Sequence, residues 1–529
     1  MRLVVIAAEN DALPAGKVGG IGDVIREYPL ALAEKEHQVE VITPGYGMYL
    51  SGKVRAEHKD TLDVLFAGTI ERVELFRYYP ENSHALVCQW VLDHPLFAAC
   101  GVGSIYCTDA SREVFAQDSN KFALFCMAAA TALVTNTLPK PEVIHLHDWH
   151  GAFFSLLQHY GKDFSALKSI HTVLTIHNLA VQGIRPFEAN ESSLSAWFPF
   201  LSYPSSEVCD PQYRECVNPL RAAIRLADRV HIVSPSYAEE ITRPSRHADG
   251  FYGGEGLEQD LVQIKESGRL VGILNGCNKE CYLTEKRPAT TDKTKAKERL
   301  IQYADSALFN WMAKQPELLS SHYIAHQKLK AWQQRAKPDE MIITSVGRLT
   351  PQKVLLLTQT FRNSMALEQI LDRLGGQGVF LMTGSGDALL ESIMTQVMAR
   401  HENFIFLQGY DEPLARALYQ VGDLFVMPSS FEPCGISQML AMQRGQPCLV
   451  HSIGGLKDTV TDGKNGFSFS GATIAEQVEN MIKTFELALD CRLNRPAEWA
   501  RICESAAEMR FSWQEAVDEY LDKLYLVES

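Results

Sequence analysis

The sequence predicts an α/β protein of the doubly wound kind, and three observations carry that prediction. Short apolar, β-branched runs alternate along the chain with longer amphipathic segments: LVVIAA, VEVIT, VIHLHD, TVLTIHN, RVHIVS, LVGILN, MIITSVG, VFLMTG, FIFLQG, LFVMPS and PCLVHS. Continuous apolar runs bounded by turn residues and separated by helical periodicity are what parallel strands covered on both faces by helices require. Many of these runs end in Gly, Ser, His or Asn, so polar residues collect where strands stop, the end at which open α/β sheets bind ligands. Finally, 529 residues exceed one ordinary core; at roughly 100–200 residues per domain they make two large domains or three smaller ones.

The strand series breaks once. From about Tyr282 to Asp339 the chain is polar and Lys/Gln-rich, with helical patterns such as KAKERLIQYADSALFNWMAKQ. That reads as a helical insertion over about 283–339, and strand counting places the division between the two halves after residue 255.

Lys plus Arg number 50 against 64 Asp plus Glu, a net charge of −14, and 46% of residues are apolar. This balance disfavours a polyphosphate or an anionic lipid surface as the main partner, while one local basic pocket can still hold a small phosphate ligand. The opening MRLVVIAAEN, with its apolar stretch from Leu3 to Ala8, reads as a first buried strand and not as a signal peptide. The longest apolar stretch elsewhere, around Phe125 to Val134, is far short of the ~20 residues of a membrane helix. A soluble, cytoplasmic protein is expected. Twelve cysteines are scattered, the nearest two being Cys277 and Cys281. Reduced, mostly buried thiols are expected, without a disulfide framework.

Four motifs at strand ends carry the chemistry. The first, Lys17-Val18-Gly19-Gly20-Ile21-Gly22-Asp23, follows the first strand and precedes a helical pattern beginning near Ile25. Glycines there let exposed amides and the helix dipole approach a phosphate, to which Lys17 adds a point charge; a turn that merely closes a βα connection explains them equally well. The second is His145-Leu146-His147-Asp148-Trp149-His150. His145 and His147 share one face of a strand, so the three histidines invite a metal reading. No fourth ligand of suitable spacing stands out, and a strand end suits hydrogen bonding to sugar hydroxyls equally well, with His147 the best candidate. His177-Asn178 repeats the pattern one strand later, where a capped strand end is the competing reading. The third, Gly347-Arg348-Leu349-Thr350-Pro351-Gln352-Lys353, sets an Arg and a Lys five apart in a strand-to-helix loop, able to converge on a diphosphate. In the fourth, Ser429-Ser430-Phe431-Glu432-Pro433-Cys434-Gly435-Ile436-Ser437, the Glu432 carboxylate is placed to bond sugar hydroxyls or stabilise positive charge at an anomeric carbon. A simple helix cap by Glu432 or Ser437 competes with that reading.

Together and in this order the motifs resemble the bacterial glycogen synthase and plant starch synthase family. KVGGIGDV, HLHDWHGA, TIHNLAVQG, RVHIVSPSYAEEI, GILNG, GRLTPQK, SSFEPCGISQ, GGLKDTV and the terminal FSW span nearly the whole chain. EPCG followed at that distance by GGLxDTV is the most specific part. The resemblance implies a GT-B fold: an N-terminal Rossmann-like domain over 1–255, a donor domain over 256–509, and a last helix, about 510–529, that packs back on the first. It also implies transfer of glucose from ADP-glucose to the non-reducing end of an α-1,4-glucan with retained configuration, ADP as product, and neither metal nor cofactor. Carried over by motif, Glu432, His147, Arg348 and Lys353 are the implied catalytic set. Lys17, Gly19, Gly20, Asn275, Cys434, Gly435 and Ile436 are the implied donor contacts, and Asp23, His177, Asn178 and Gln182 lie on the acceptor side or in support.

Several positions depart from the family pattern. Val354 stands where Gly is usual, Gln117 and Lys121 replace an Asp and an Arg, Val181 a Tyr, Asn278 an Asp and Ser430 an Arg. These departures leave open a related glucosyltransferase with a small acceptor, or a non-catalytic glucan-binding scaffold. The partners implied are a nucleotide sugar and a glucan, with no nucleic acid and no membrane.

Overall fold

The computed structural model describes residues 1–107, 115–277, 293–315, 317–335 and 339–526. It divides into two compact units. The first comprises Met1–Ser245, Gly253–Asn278 and Ser512–Ser529, and the second Arg246–Tyr252 and Lys279–Phe511. The division therefore falls beyond residue 255. The LVGILN run, which strand counting assigns to the second half, forms Leu270–Gly272 and pairs in parallel with Arg229–Ile232 in the first sheet.

Among the described residues, the strands of the first unit's main sheet are β1 (Arg2–Ile6), β2 (Gln38–Pro44), β3 (Glu57–Phe66), β4 (Thr69–Tyr78), β5 (Val87–Asp93), β6 (Val143–His147), β7 (His171–Ile176), β8 (Arg229–Ile232) and β9 (Leu270–Gly272). Their order is β9-β8-β7-β6-β1-β2-β5-β4-β3. Strands from β9 to β5 run parallel, and β3 and β4 are antiparallel. The parallel centre is apolar on both faces, as continuous runs demand: Leu3, Val4, Val5 and Ile6 are all fully buried. The β3–β4 hairpin has no such run. Leu62, Val64 and Phe66 point inward while Leu65 is exposed, and that period-two edge escapes a search for continuous apolar stretches.

The chain end returns to this unit. Trp513, Val517 and Tyr520 of the helix Trp513–Tyr520 are buried in one cluster with Val24, Ile25 and Tyr28 of the helix Gly20–Glu34. Trp513 Nε1 donates to Glu27 Oε2 at 2.8 Å, and Tyr525 OH hydrogen-bonds with His145 Nδ1 at 2.7 Å. Removing that hydroxyl strands a buried ring nitrogen. Tyr525→Phe is expected to cost about 1 kcal/mol, seen as a lower denaturant midpoint; an unchanged midpoint would show that the bond holds nothing.

The second unit's main sheet is parallel throughout: β10 (Met341–Val346), β11 (Gly378–Gly384), β12 (Phe404–Gln408), β13 (Leu424–Met427), β14 (Cys448–His451) and β15 (Gly466–Phe469), in the order β12-β11-β10-β13-β14-β15. The polar stretch before it contains the helices Lys293–Lys314 and Ser320–Gln334. The second of these covers the edge strand, with His322 Nε2 hydrogen-bonded to Gln408 O at 2.9 Å.

Cys100 and Cys107 are joined by a disulfide, which corrects the expectation of reduced thiols throughout. Gly101 and Gly103, at φ 112° and 87°, turn the chain so that the two Cα atoms lie 5.4 Å apart. The other described cysteines are thiols outside that disulfide and mostly buried, and Cys281 lies outside the described residues. Phe125–Val134 belongs to the buried helix Ala116–Val134, and among the described residues no helix is long and apolar enough to cross a membrane.

Candidate active site

Both sheets have one point where the winding reverses. In the first unit β1 and β6 are neighbours, and the chain leaves β1 toward β2 and β6 toward β7, on opposite flanks. In the second unit β10 and β13 are neighbours in the same sense, with β11 and β14 on opposite flanks. Crevices open at the carboxyl ends of such pairs. The four motifs follow β1, β6, β10 and β13, so each unit carries a cluster of motif residues at its own reversal.

After β1 the chain loops to Gly19 and the helix begins at Gly20, earlier than the expected start near Ile25. The reason is Glu9, whose Oε2 accepts hydrogen bonds from the amides of Val18 at 2.8 Å and Gly19 at 2.6 Å. Those amides are therefore satisfied by a carboxylate of the protein itself, which corrects the expectation that they are exposed to a phosphate. Lys17 Nζ lies 2.7 Å from Asp23 Oδ1 and 3.7 Å from Asp11 Oδ2, so Asp23 acts as the lysine's partner. A Cβ on Gly22 would meet the Lys17 stem at 3.0 Å, and its absence leaves the stem room to cross the helix start.

After β6, His147 is buried with both ring nitrogens engaged: Nδ1 with His177 Nε2 at 2.9 Å and Nε2 with Tyr28 OH at 3.2 Å. His145 stacks on it at 4.4 Å and hydrogen-bonds with Thr175 Oγ1 at 2.6 Å, which in turn reaches His231 Nδ1 at 2.9 Å. Burial pushes His145 and His147 well down, His177 to about 3 and His231 to about 4. These rings are neutral hydrogen-bonding groups near pH 7. Their nitrogens bond one another, hydroxyls and, at His231 Nε2, Ile273 O at 3.1 Å, and among the described residues no group of three or more His, Cys, Asp or Glu is arranged to hold a metal. Asp148 has φ 52°, and its Oδ1 accepts from the amides of His177 at 2.6 Å and Asn178 at 3.4 Å. Burial raises its carboxyl to about 7.

The remaining candidate residues of this unit support the cluster. Asn178 Oδ1 caps the amide of Ala180 at 2.9 Å. Gln182 bonds Leu179 O, Glu255 O and Asn218 Nδ2 and is fully occupied within the protein. Asn275 is buried, its Oδ1 without a hydrogen-bond partner among the described residues. Next to it, Gly276 leaves no space for a side chain, since a Cβ would lie 2.6 Å from Trp513.

In the second unit the loops after β10 and β13 are laced together. Lys353, in the first turn of the helix Pro351–Thr358, makes an ion pair with Glu432 Oε2, which also accepts from Ser429 Oγ at 3.0 Å. The amide of Ser430 donates to Gln352 O at 2.9 Å, and Gln352 Nε2 donates to Phe431 O at 2.8 Å. Glu432 is buried and does not cap the following helix, Ser437–Gln443, whose N-cap Ile436 receives no side-chain bond. Arg348 is exposed, with no ion-pair partner among the described residues. Cys434 is buried, and Gly435 turns at φ 78° with Gln438 Oε1 only 2.4 Å from where a Cβ would sit.

Sequence reading assigned no role to several residues that shape these clusters. Glu9, Tyr28, Ser429 and Gln352 are examples. Gly454 and Gly455 are others, since a Cβ at either would lie about 2 Å from the backbone oxygens Glu432 O and Cys434 O. A Gly-Gly pair directly after a strand was the signal available. The departures also find places. Lys121 is buried against Asp118 Oδ1 at 2.7 Å and Ile105 O at 2.6 Å, while Gln117 is exposed. Val354 is buried in its helix, Val181 is half-buried, and Asn278 lies outside the described residues.

Comparison with known proteins bears on all of this. The starch synthase catalytic domain family matches residues 2–263, and glycosyl transferases group 1 matches 327–500. The glycogen synthase of Streptococcus equi subsp. equi is 31% identical over 547 residues, covering 99% of each chain. The chain belongs to the glycogen synthase family. The Streptococcus mutans serotype c glycogen synthase is likewise 31% identical, over 541 residues and 98% of each chain. The catalytic domain of starch synthase IV from Arabidopsis thaliana, a structure bound to ADP and acarbose, superposes with a TM-score of 0.75 at 25% identity, covering 99% of this chain and 98% of that one. Sucrose-phosphate synthase from Thermosynechococcus elongatus shares the fold, with a TM-score of 0.54 at 16% identity, covering 99% and 98% of the two chains. This glycogen synthase family member is thus a GT-B glycosyltransferase of the type that transfers glucosyl units to a glucan.

Proposed function

We propose that the enzyme moves glucose from ADP-glucose to the non-reducing end of an α-1,4-glucan in the cytoplasm, retaining anomeric configuration and releasing ADP. The observation that carries this reading is the Lys353–Glu432 pair, which joins the two loops at the second sheet's reversal, with exposed Arg348 in the same loop as Lys353. Breaking the bond from glucose to diphosphate places negative charge on phosphate and oxocarbenium-like charge on the sugar. Two cations and a carboxylate match that separation, and stabilise it more than they stabilise the bound ground state. In the proposed sequence Arg348 and Lys353 receive the diphosphate, Lys353 giving up Glu432 to do so, and the freed carboxylate faces the sugar. Leaving group and acceptor share one face, and the departing phosphate oxygen takes the acceptor hydroxyl's proton. The side-chain cations cover the charge that a metal supplies elsewhere. Lys17 and His147, the latter neutral and bonded to His177, are assigned to the donor by the family motifs they occupy. The related plant structure holds ADP, which supports adenine as the base.

A donor screen tests this reading: ADP-, UDP- and GDP-glucose, each offered with glycogen and with maltooligosaccharides. ADP-glucose with glycogen is expected to release ADP and lengthen chains. Turnover with none of the three donors would remove the proposal, and turnover confined to short oligosaccharides would assign the exposed Gln117 region to a small acceptor.

A further inference from the structure

Glu9 carries no role in the family motifs above, yet it organises the loop that bears Lys17. It follows β1 and is buried, at 2% exposure. One carboxylate oxygen takes both the Val18 and the Gly19 amide, and the other accepts from Tyr106 OH at 2.8 Å. A charged acceptor shared by two amides makes stronger bonds than a neutral one does. Tyr106 is itself held on several sides: Ile105 O accepts from Lys121 Nζ at 2.6 Å, the Cys107 amide donates to Asp118 Oδ1 at 3.1 Å, and the Tyr106 ring lies 5.5 Å from that of His150. The disulfide to Cys100 closes the strap that carries it. On its other side the loop bonds to its own backbone, Asn10 N to Gly16 O at 2.6 Å and Asp11 N to Gly22 O at 3.0 Å. Lys17 lies between these anchors, one residue from an amide that Glu9 holds.

We propose that Glu9, braced by Tyr106, is a positioning residue for the donor: its carboxylate fixes the Val18–Gly19 backbone and so sets where the Lys17 ammonium is presented. Glu9 does not touch the nucleotide sugar. It supplies internally the anion around which the loop is built, and the donor meets Lys17 already placed. The inference rests on the donor role proposed for Lys17. Without the carboxylate two amides lose their partner, and the backbone next to Lys17 is no longer fixed.

The test uses the full-length enzyme with Glu9→Ala, Glu9→Gln and Tyr106→Phe, reading donor KM, acceptor KM, kcat and amide hydrogen exchange. Glu9→Ala is expected to raise the donor KM about tenfold or more, with acceptor KM and kcat within about twofold, as loss of uniform binding does. Exchange at Val18 and Gly19 should quicken by about tenfold or more while Leu3 to Ile6 stay protected, the mark of a local opening. Glu9→Gln keeps an oxygen for the amides and an NH2 for the Tyr106 oxygen, and should stay within about threefold of wild type. Tyr106→Phe leaves the carboxylate in place and should give a smaller donor effect of the same kind. It keeps the question answerable if Glu9→Ala fails to fold. An unchanged donor KM in Tyr106→Phe and Glu9→Ala, or equal losses in donor and acceptor KM, overturns the proposal. If wild type turns over no nucleotide-glucose, the donor reading itself has failed. ADP affinity then decides for Glu9, with a tenfold loss in Glu9→Ala supporting the positioning role and no change refuting it.

Discussion

Glu432→Ala and Lys353→Ala are each expected to lower kcat by on the order of 10² or more at saturating donor and acceptor, as removal of a charge contact made in the transition state does. The two residues form one ion pair, and Glu432 has a second partner in Ser429. Each single variant therefore leaves a partly buried charge without its counterpart, and the double variant removes both. Residues that act as a unit are non-additive, so the double variant should lose much less than the product of the single losses. Near-normal rates in both single variants would remove Glu432 and Lys353 from the chemistry. Multiplicative losses would show that they act on separate steps.

Acid is expected to destabilise the first unit steeply below neutral pH. His145, His147, His150, His177 and His231 are buried and neutral, with His150 and His177 pushed to about 3 and His231 to about 4 from an ordinary 6.5. For a base whose folded value is depressed, the unfolded chain binds the proton first. Stability is then fully present above 6.5 and is lost as pH falls toward the folded value, by up to about 1.4 kcal/mol per pH unit for each histidine. Asp148 works the other way. Its folded value, about 7, exceeds the ordinary 3.8, so its contribution is present at low pH and fades as pH rises between these values. One carboxyl offsets only part of what five imidazoles impose. Amide exchange in β6 and β7 should accelerate markedly between pH 7.5 and 5, after correction for the intrinsic rate. A flat corrected profile would mean that the histidine cluster takes up protons without unfolding.

Much of this arrangement was readable before any coordinates, for definite physical reasons. Parallel strands buried on both faces write themselves as continuous apolar runs, so β1, β2, β6, β7, β8 and β10 through β14 were visible. Motifs at their ends then fell at the two winding reversals. The β3–β4 edge alternates faces, and β9 adds an edge strand to the sheet that precedes it in the chain, so neither the hairpin nor the unit boundary followed from counting runs. Polar pairing was the least legible layer. Nothing local in LVVIAAEN marks Glu9 as the partner of amides nine and ten residues on, or places Tyr28 against His147. Such bonds join residues far apart in sequence, and they changed the roles of motif amides and rings that the motifs alone left open.

The central claim is that side-chain cations bind the diphosphate of the sugar nucleotide. Titrating ADP calorimetrically into wild type, Lys17→Ala and Arg348→Ala tests it most directly. The account predicts binding to wild type and a loss of about tenfold or more in each variant, since each removes a cation assigned to the donor. Wild-type affinity in both variants would contradict it.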